Sequence, residues 1–341
     1  MTSSTLNSDP AEPRWAYVWA LASLLVLVVA GAWELLVRQA DLGPDYVDSE
    51  VLWADTRHRL NSGPTNSIVL LGASRAQRAI DVDTMSEHFV RPVYQLSIEG
   101  SSYLPVLENL AVDPRVRGTV IVSIAPVFTF NRLISQVDKG LQAKYLEYYN
   151  NQSYARRLEQ KLTLALQGKL AFRAPGAKLS EAIPALIETG EMPARDYKTI
   201  FRNRVVHIDP ELMEVPPTDE GIVALYLQNV EPYPRDEFAP VVNYIATVTS
   251  MLRQKGVQVI FIRLPSAGAV RALEADLFPR DRFWGVLEQN VDASFVHFED
   301  YPELAGFVSR DGSHIDSTRI VEFTRRLNAV LGQNGLASRF D

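Results

Sequence analysis

The chain contains no cysteine. That excludes disulfides, thiolate catalysis and Cys-type zinc sites, and it leaves the compartment open. It has five histidines, so any imidazole base must come from a short roster. It has no basic surplus: 41 acidic residues against 34 Lys and Arg give a net charge of −7. A partner recognised through its phosphate backbone needs a basic surface, so no nucleic acid is expected. There is no glycine-rich loop of the kind that cradles nucleotide phosphates, and no internal repeat or low-complexity tract. What remains is a chain of 341 residues, 47% hydrophobic, long enough for one large globular domain or two smaller ones.

Only one apolar run is long. "WAYVWALASLLVLVVAGAW", Trp15 to Trp33, has 19 residues and no charge. About 20 such residues cross a hydrocarbon layer as a helix. Trp15, Tyr17, Trp19 and Trp33 lie towards its ends, where amphipathic rings favour the membrane interface. A cleavable signal peptide would have a shorter apolar core and a small-residue cleavage site. The expectation is a cytoplasmic tail over 1–14, a transmembrane anchor over 15–36 and a polar stalk over 37–65 with a short helical piece, "DSEVLWADTRHRL". Arg14 on the short tail places the large domain outside the cytoplasm, on the periplasmic side.

Beyond "NSGPTN" come short apolar runs rich in β-branched residues: "SIVLLGAS", "PVYQLSI", "GTVIVSIAP", "VQVIFIRLP" and "ASFVHFED". They read as buried strands. Helical patterns alternate with them, including "YLPVLENLAVD", "APVVNYIATVTSMLRQKG" and "DSTRIVEFTRRLNAVLGQNG". Such alternation predicts right-handed βαβ units and a doubly wound parallel sheet in an α/β domain over 66–341. Residues 131–238 interrupt the alternation and read as a mostly helical insertion over the sheet edge or the carboxyl strand ends.

Open parallel sheets bind ligands beyond the carboxyl ends of their strands. Ser74, Gly100 and Pro126 all fall there. A hydroxyl nucleophile needs a base. His58 is in the stalk, His88 near the end of a helical stretch, and His207 in the insertion. His297 alternates onto one strand face with Glu299, a pair of potential metal ligands with no evident third, so no metal is expected. His314 lies in "VSRDGSHIDST" after the last strand, three residues after Asp311. This spacing brings the carboxylate to Nδ1 and leaves Nε2 free to take a proton. Singly, each signal has a structural explanation: Gly-X-Ser as a helix N-cap, and Asp311 as a cap of the last helix. Together they describe a nucleophile, a base and an orienting acid, with a glycine amide between them in sequence.

"LLGASRAQ", "LSIEGSS" and "DGSHID" together resemble the blocks of the SGNH, or GDSL-like, hydrolase superfamily. The resemblance covers roughly 66–130 and 255–335. It implies a three-layer α/β/α domain with a flavodoxin-like parallel sheet, with Ser74 as nucleophile, His314 as base and Asp311 as its orienter. The Ser74 and Gly100 amides would form the oxyanion hole, and no cofactor is called for. One block departs: where the superfamily supplies an oxyanion-hole Asn, this chain reads "VSIAPVFTFNRL", with Asn131 only a few residues later. That variant is similar to membrane-anchored members that act beside polytopic, membrane-bound O-acyltransferases on exported polysaccharides. The implied activity is a serine esterase or O-acetyltransferase on an exported polysaccharide or envelope glycan. The alternative is a catalytically weak accessory protein that binds such an acyltransferase or its polymer. Asn131 and Arg75 are candidate substrate contacts. Arg75 and Arg78 either bind an anionic glycan or pair with acids such as Asp81 and Asp83, and Tyr145, Tyr148 and Tyr149 either stack on sugars or pack internally.

Overall fold

Each of the five apolar runs forms a strand, and the five strands form one parallel sheet. The computed structural model describes residues 15–133 and 139–336. The expected tail over 1–14, and short stretches of the insertion and the C-terminus, lie outside the described residues.

In chain order the elements are α1 (Trp15–Gln39), α2 (Glu50–Ser62), β1 (Ile68–Leu71), α3 (Ser74–Ala79), α4 (Val82–Phe89), β2 (Val93–Gln95), α5 (Leu104–Val112), β3 (Thr119–Ser123) and α6 (Pro126–Thr129). There follow α7 (Lys139–Asn150), α8 (Tyr154–Gln167), α9 (Leu179–Thr189), β4 (Lys198–Ile200), β5 (Val206–Ile208), α10 (Asp219–Asn229) and α11 (Arg235–Gln254). The chain closes with β6 (Gln258–Arg263), α12 (Gly268–Leu277), α13 (Trp284–Asn290), β7 (Ser294–His297) and α14 (Ile320–Gln333).

The sheet order is β2-β1-β3-β6-β7. The order reverses between β1 and β3, which is where a doubly wound sheet opens a crevice at its carboxyl edge. Alternation sends successive side chains to opposite faces. Val69, Leu71, Val120, Val122, Val259 and Phe261 meet α2, α5 and α11 on one side. Ile68, Leu70, Ile121, Ile260 and Ile262 meet α4 and α14 on the other. Both faces are covered, which is why the strands read as near-continuous apolar runs.

Two compact units divide the chain: Met1–Pro44 with Lys169–Arg195, and Asp45–Gly168 with Asp196–Asp341. In the first, α1 is long and apolar enough to cross a membrane, and it runs three residues past the expected end at 36. In the second, the expected stalk is corrected. Residues 50–62 form α2, a helix of the core: Trp53 is fully buried and its Nε1 donates to the Leu96 carbonyl at 3.0 Å. Its polar composition disguised this. Arg57 is also fully buried, but it is neutralised by Asp113 at 2.8 Å and bonded to Asn109.

The insertion is mostly helical among its described residues. Tyr145 and Tyr149 of α7 pack edge-on against Trp53, each at 6.1 Å, so they belong to the core and not to a sugar platform. β4 and β5 add an antiparallel hairpin to a segment expected to be mostly helical. Lys169–Arg195 groups with α1, and α10 packs on α12 through Tyr226 and Val270.

Candidate active site

β1 delivers Ser74 to the carboxyl edge through a turn that only glycine fits. Gly72 has φ of +150°, and a Cβ there would sit 2.9 Å from the Ser123 Cβ and 3.0 Å from its carbonyl oxygen. Ser74 is the first residue of α3, so its N–H has no acceptor within that helix.

The second half of the site is a tight loop between β7 and α14. Val308 and Ile315 form an antiparallel bridge, and the Ser309 N–H donates to the His314 carbonyl at 2.8 Å. Inside the loop Asp311 organises everything. Its Oδ1 accepts from the Ser309 hydroxyl (2.8 Å), the Ser313 N–H (2.8 Å) and the His314 N–H (2.9 Å). Its Oδ2 lies 2.7 Å from His314 Nδ1. The opposite ring nitrogen, Nε2, lies 2.9 Å from the Ser74 hydroxyl. Gly312 lets the loop turn: φ is +68°, and a Cβ would approach the Ala267 carbonyl to 2.9 Å.

The electrostatics suit a base. Burial opposes ionisation of Asp311, but the bonds from His314 and two backbone amides outweigh it and hold the carboxyl well below its ordinary range. Burial pushes His314 below the usual imidazole value, and the positive charges of Arg78 and Arg75 act the same way against the pull of Asp311. At neutral pH the ring is therefore uncharged. With Nδ1–H held by Asp311, Nε2 is an acceptor facing a hydroxyl.

Arg75 is corrected as a substrate contact. It is 3% exposed, and its guanidinium is taken by Glu274 at 2.6 Å, by the Ser313 hydroxyl at 3.1–3.2 Å and by the Tyr226 hydroxyl at 3.4 Å. Glu274 also accepts from the Ser266 hydroxyl at 2.6 Å and from Arg263. One buried network thus grips the residue after Ser74 and the residue before His314. Glu274, Tyr226 and Arg263 carry no local motif, and nothing in the sequence pattern points to them; Ser313 lies within "DGSHID". Ser309, two residues before Asp311, was visible in "SRDGSH" as a hydroxyl within reach of the carboxylate.

Asn131 is corrected as well. It is 1% exposed, and its side chain bonds to the Asn229 carbonyl and the Glu231 and Leu133 amides, bridging the two ends of the insertion. After β3, Pro126 opens α6 at the carboxyl edge, and it has no N–H to offer. Gly100 lies in the exposed turn after β2 with φ of +69° and open space around it. That loop runs beside the Ser74 turn, because the Ile98 N–H donates to the Gly72 carbonyl at 3.1 Å. Arg78 pairs with Glu99, which also holds Lys198, not with Asp81 or Asp83.

His297 is stacked on Phe298 and edge-on to Trp284, and burial with the nearby Arg263 and Arg280 charges pushes its pKa down to about 3. Glu299 pairs with Arg271. Among the described residues no group of three or more His, Asp or Glu side chains could hold a metal ion. No family model matches the chain, and no curated relative matches it.

Proposed function

We propose that this is a membrane-anchored serine hydrolase or O-acyltransferase of the SGNH type, working through an acyl-Ser74 intermediate. The observation that carries the reading is the continuous chain Asp311–His314–Ser74, at 2.7 and 2.9 Å. His314 Nε2 takes the Ser74 proton as Oγ attacks an ester carbonyl, and returns it to the departing alcohol. Asp311 holds the tautomer and offsets the charge on the imidazolium. The Ser74 and Gly100 amides are assigned to the oxyanion. In the second half His314 deprotonates water, or a sugar hydroxyl, which attacks the acyl-serine and frees Ser74. The chemistry requires no cofactor. The proposed acceptor is an exported polysaccharide or envelope glycan on the extracytoplasmic side. The proposed partner is a polytopic O-acyltransferase in the same bilayer.

A second reading draws on the missing third-block Asn. Loss of one oxyanion donor costs about 10²–10³ in rate where it has been measured. A chain without that Asn fits an accessory protein that binds an acyltransferase or its polymer. The deciding experiment treats the full-length chain in detergent with a fluorophosphonate probe and p-nitrophenyl acetate, with Ser74→Ala and His314→Ala as controls. Labelling and turnover that both depend on Ser74 and His314 support the enzyme. An unlabelled wild type refutes the simple esterase and favours the accessory reading.

A further inference from the structure

We infer that α9 is a membrane-interface helix, lying along the leaflet boundary from which α1 emerges, with Leu179, Ile183 and Ile187 inserted among the lipid. The inference rests on reading α1 as the membrane anchor and is independent of the chemistry at Ser74.

The anchor sets the height. At about 1.5 Å per residue, its 25 residues span about 38 Å, whereas the hydrocarbon layer is about 30 Å thick. The last turns of α1 therefore stand at headgroup level, with Trp33 as the interfacial ring. Those same turns hold the segment leading into α9. Trp33 Nε1 donates to the Ala177 carbonyl at 3.0 Å, and Arg38 donates to the Lys169 carbonyl at 2.9 Å. The Glu34 carboxylate accepts from the Ala171 and Phe172 amides, each at 3.0 Å. Val37 and Leu42 pack with Ala171, Ala174 and Ala177. A carboxylate next to the hydrocarbon edge is costly unless it is satisfied, and here backbone amides and Arg38 satisfy it.

From Ala177 the chain enters α9 within two residues. Leu179, Ile183 and Ile187 are 52%, 45% and 79% exposed. Spaced by four, they form one stripe, while Ala182 is buried. At 100° per residue Glu181 and Glu188 fall on the side away from that stripe. A helix with an apolar face, an acidic face and a tether at headgroup level suits a lipid surface. The bilayer is favoured over a soluble partner because α1 keeps it permanently within reach, as a high effective concentration. An acidic polar face attracts no anionic headgroups, so insertion is expected to be insensitive to anionic lipid.

The chain has no cysteine, so single labels can be placed on the full-length protein without background. Nitroxide labels at Ile183→Cys, Ile187→Cys, Glu181→Cys and Glu188→Cys are read in phosphatidylcholine nanodiscs, with and without phosphatidylglycerol. Leu25→Cys reports on the anchor. The expected result is collision with oxygen favoured over a water-soluble nickel chelate several-fold more strongly at 183 and 187 than at 181 and 188, equally in both lipids. Water-like readings at 183 and 187 with a lipid-like reading at 25 overturn the inference and leave the anchor standing. A water-like reading at 25 overturns both. Labels at 183 and 187 shielded from both reagents mean that protein covers the stripe, and also overturn it. None of these outcomes bears on Ser74, whose reactivity is read by the probe.

Discussion

His314 Nε2 stands 2.9 Å from the Ser74 hydroxyl, across 240 positions of sequence. Ser74→Ala and His314→Ala are each expected to abolish fluorophosphonate labelling. Asp311→Asn keeps the shape but removes the charge and allows the wrong tautomer, a change that costs about 10⁴ in kcat in a serine protease. Steady-state hydrolysis of p-nitrophenyl acetate checks all three. An Asp311→Asn enzyme as fast as wild type contradicts the assigned role.

The base must be neutral to accept a proton. Since burial and neighbouring arginines lower the His314 pKa, activity is expected to hold below the ordinary imidazole value of 6.5 and to fall only as pH drops further. Arg78→Gln removes one of those positive charges, so the His314 pKa rises and the acid limb of kcat/KM moves to higher pH. An acid limb that stays in place or moves down in the variant rules out this electrostatic coupling.

Glu274 is 1% exposed and holds both Arg75 and Arg263. Glu274→Gln leaves buried guanidinium charge without a counter-ion, and breaking a buried pair costs about 3–5 kcal/mol. Chemical denaturation is expected to show a loss of that order. Below the melting transition, the variant is expected to lose kcat more than affinity, because Arg75 and Ser313 flank Ser74 and His314, the proposed nucleophile and base. Unchanged stability would show that the network carries little of the fold.

At Gly312 an alanine must adopt φ of +68° and approach the Ala267 carbonyl to 2.9 Å. The left-handed conformation alone costs about 1–2 kcal/mol for a residue with a Cβ. Gly312→Ala is expected to lower the melting temperature and kcat together, since the loop that bends there also carries Asp311 and His314.

Trp53 decides whether residues 50–62 are stalk or core. Removing a fully buried indole that contacts Tyr145 and Tyr149 is expected to cost about 3–5 kcal/mol. If Trp53→Ala unfolds at the wild-type denaturant concentration, α2 is not part of the core.

Local chemistry in the sequence was enough for some of this protein. Five short β-branched runs between amphipathic stretches determine a parallel α/β sheet, because a strand buried on both faces must be apolar along its whole length. The long apolar helix was legible for a similar reason, since its composition is uniform. Ser74 could be named because it follows the first strand in "LLGAS", and Asp311 and His314 because they stand three residues apart in a loop between the last strand and the last helix. Tertiary structure alone decided what depends on partners far away in sequence. Arg75 was expected to meet a glycan or a nearby acid, but its partner is Glu274, 199 positions on. Asn131 looked like a site residue until it proved to tie the two ends of the insertion. α2 looked like a solvated stalk because the acid that neutralises Arg57 is 56 residues away. A charge shows its cost in sequence but not its counter-ion, and only the folded chain places the two together.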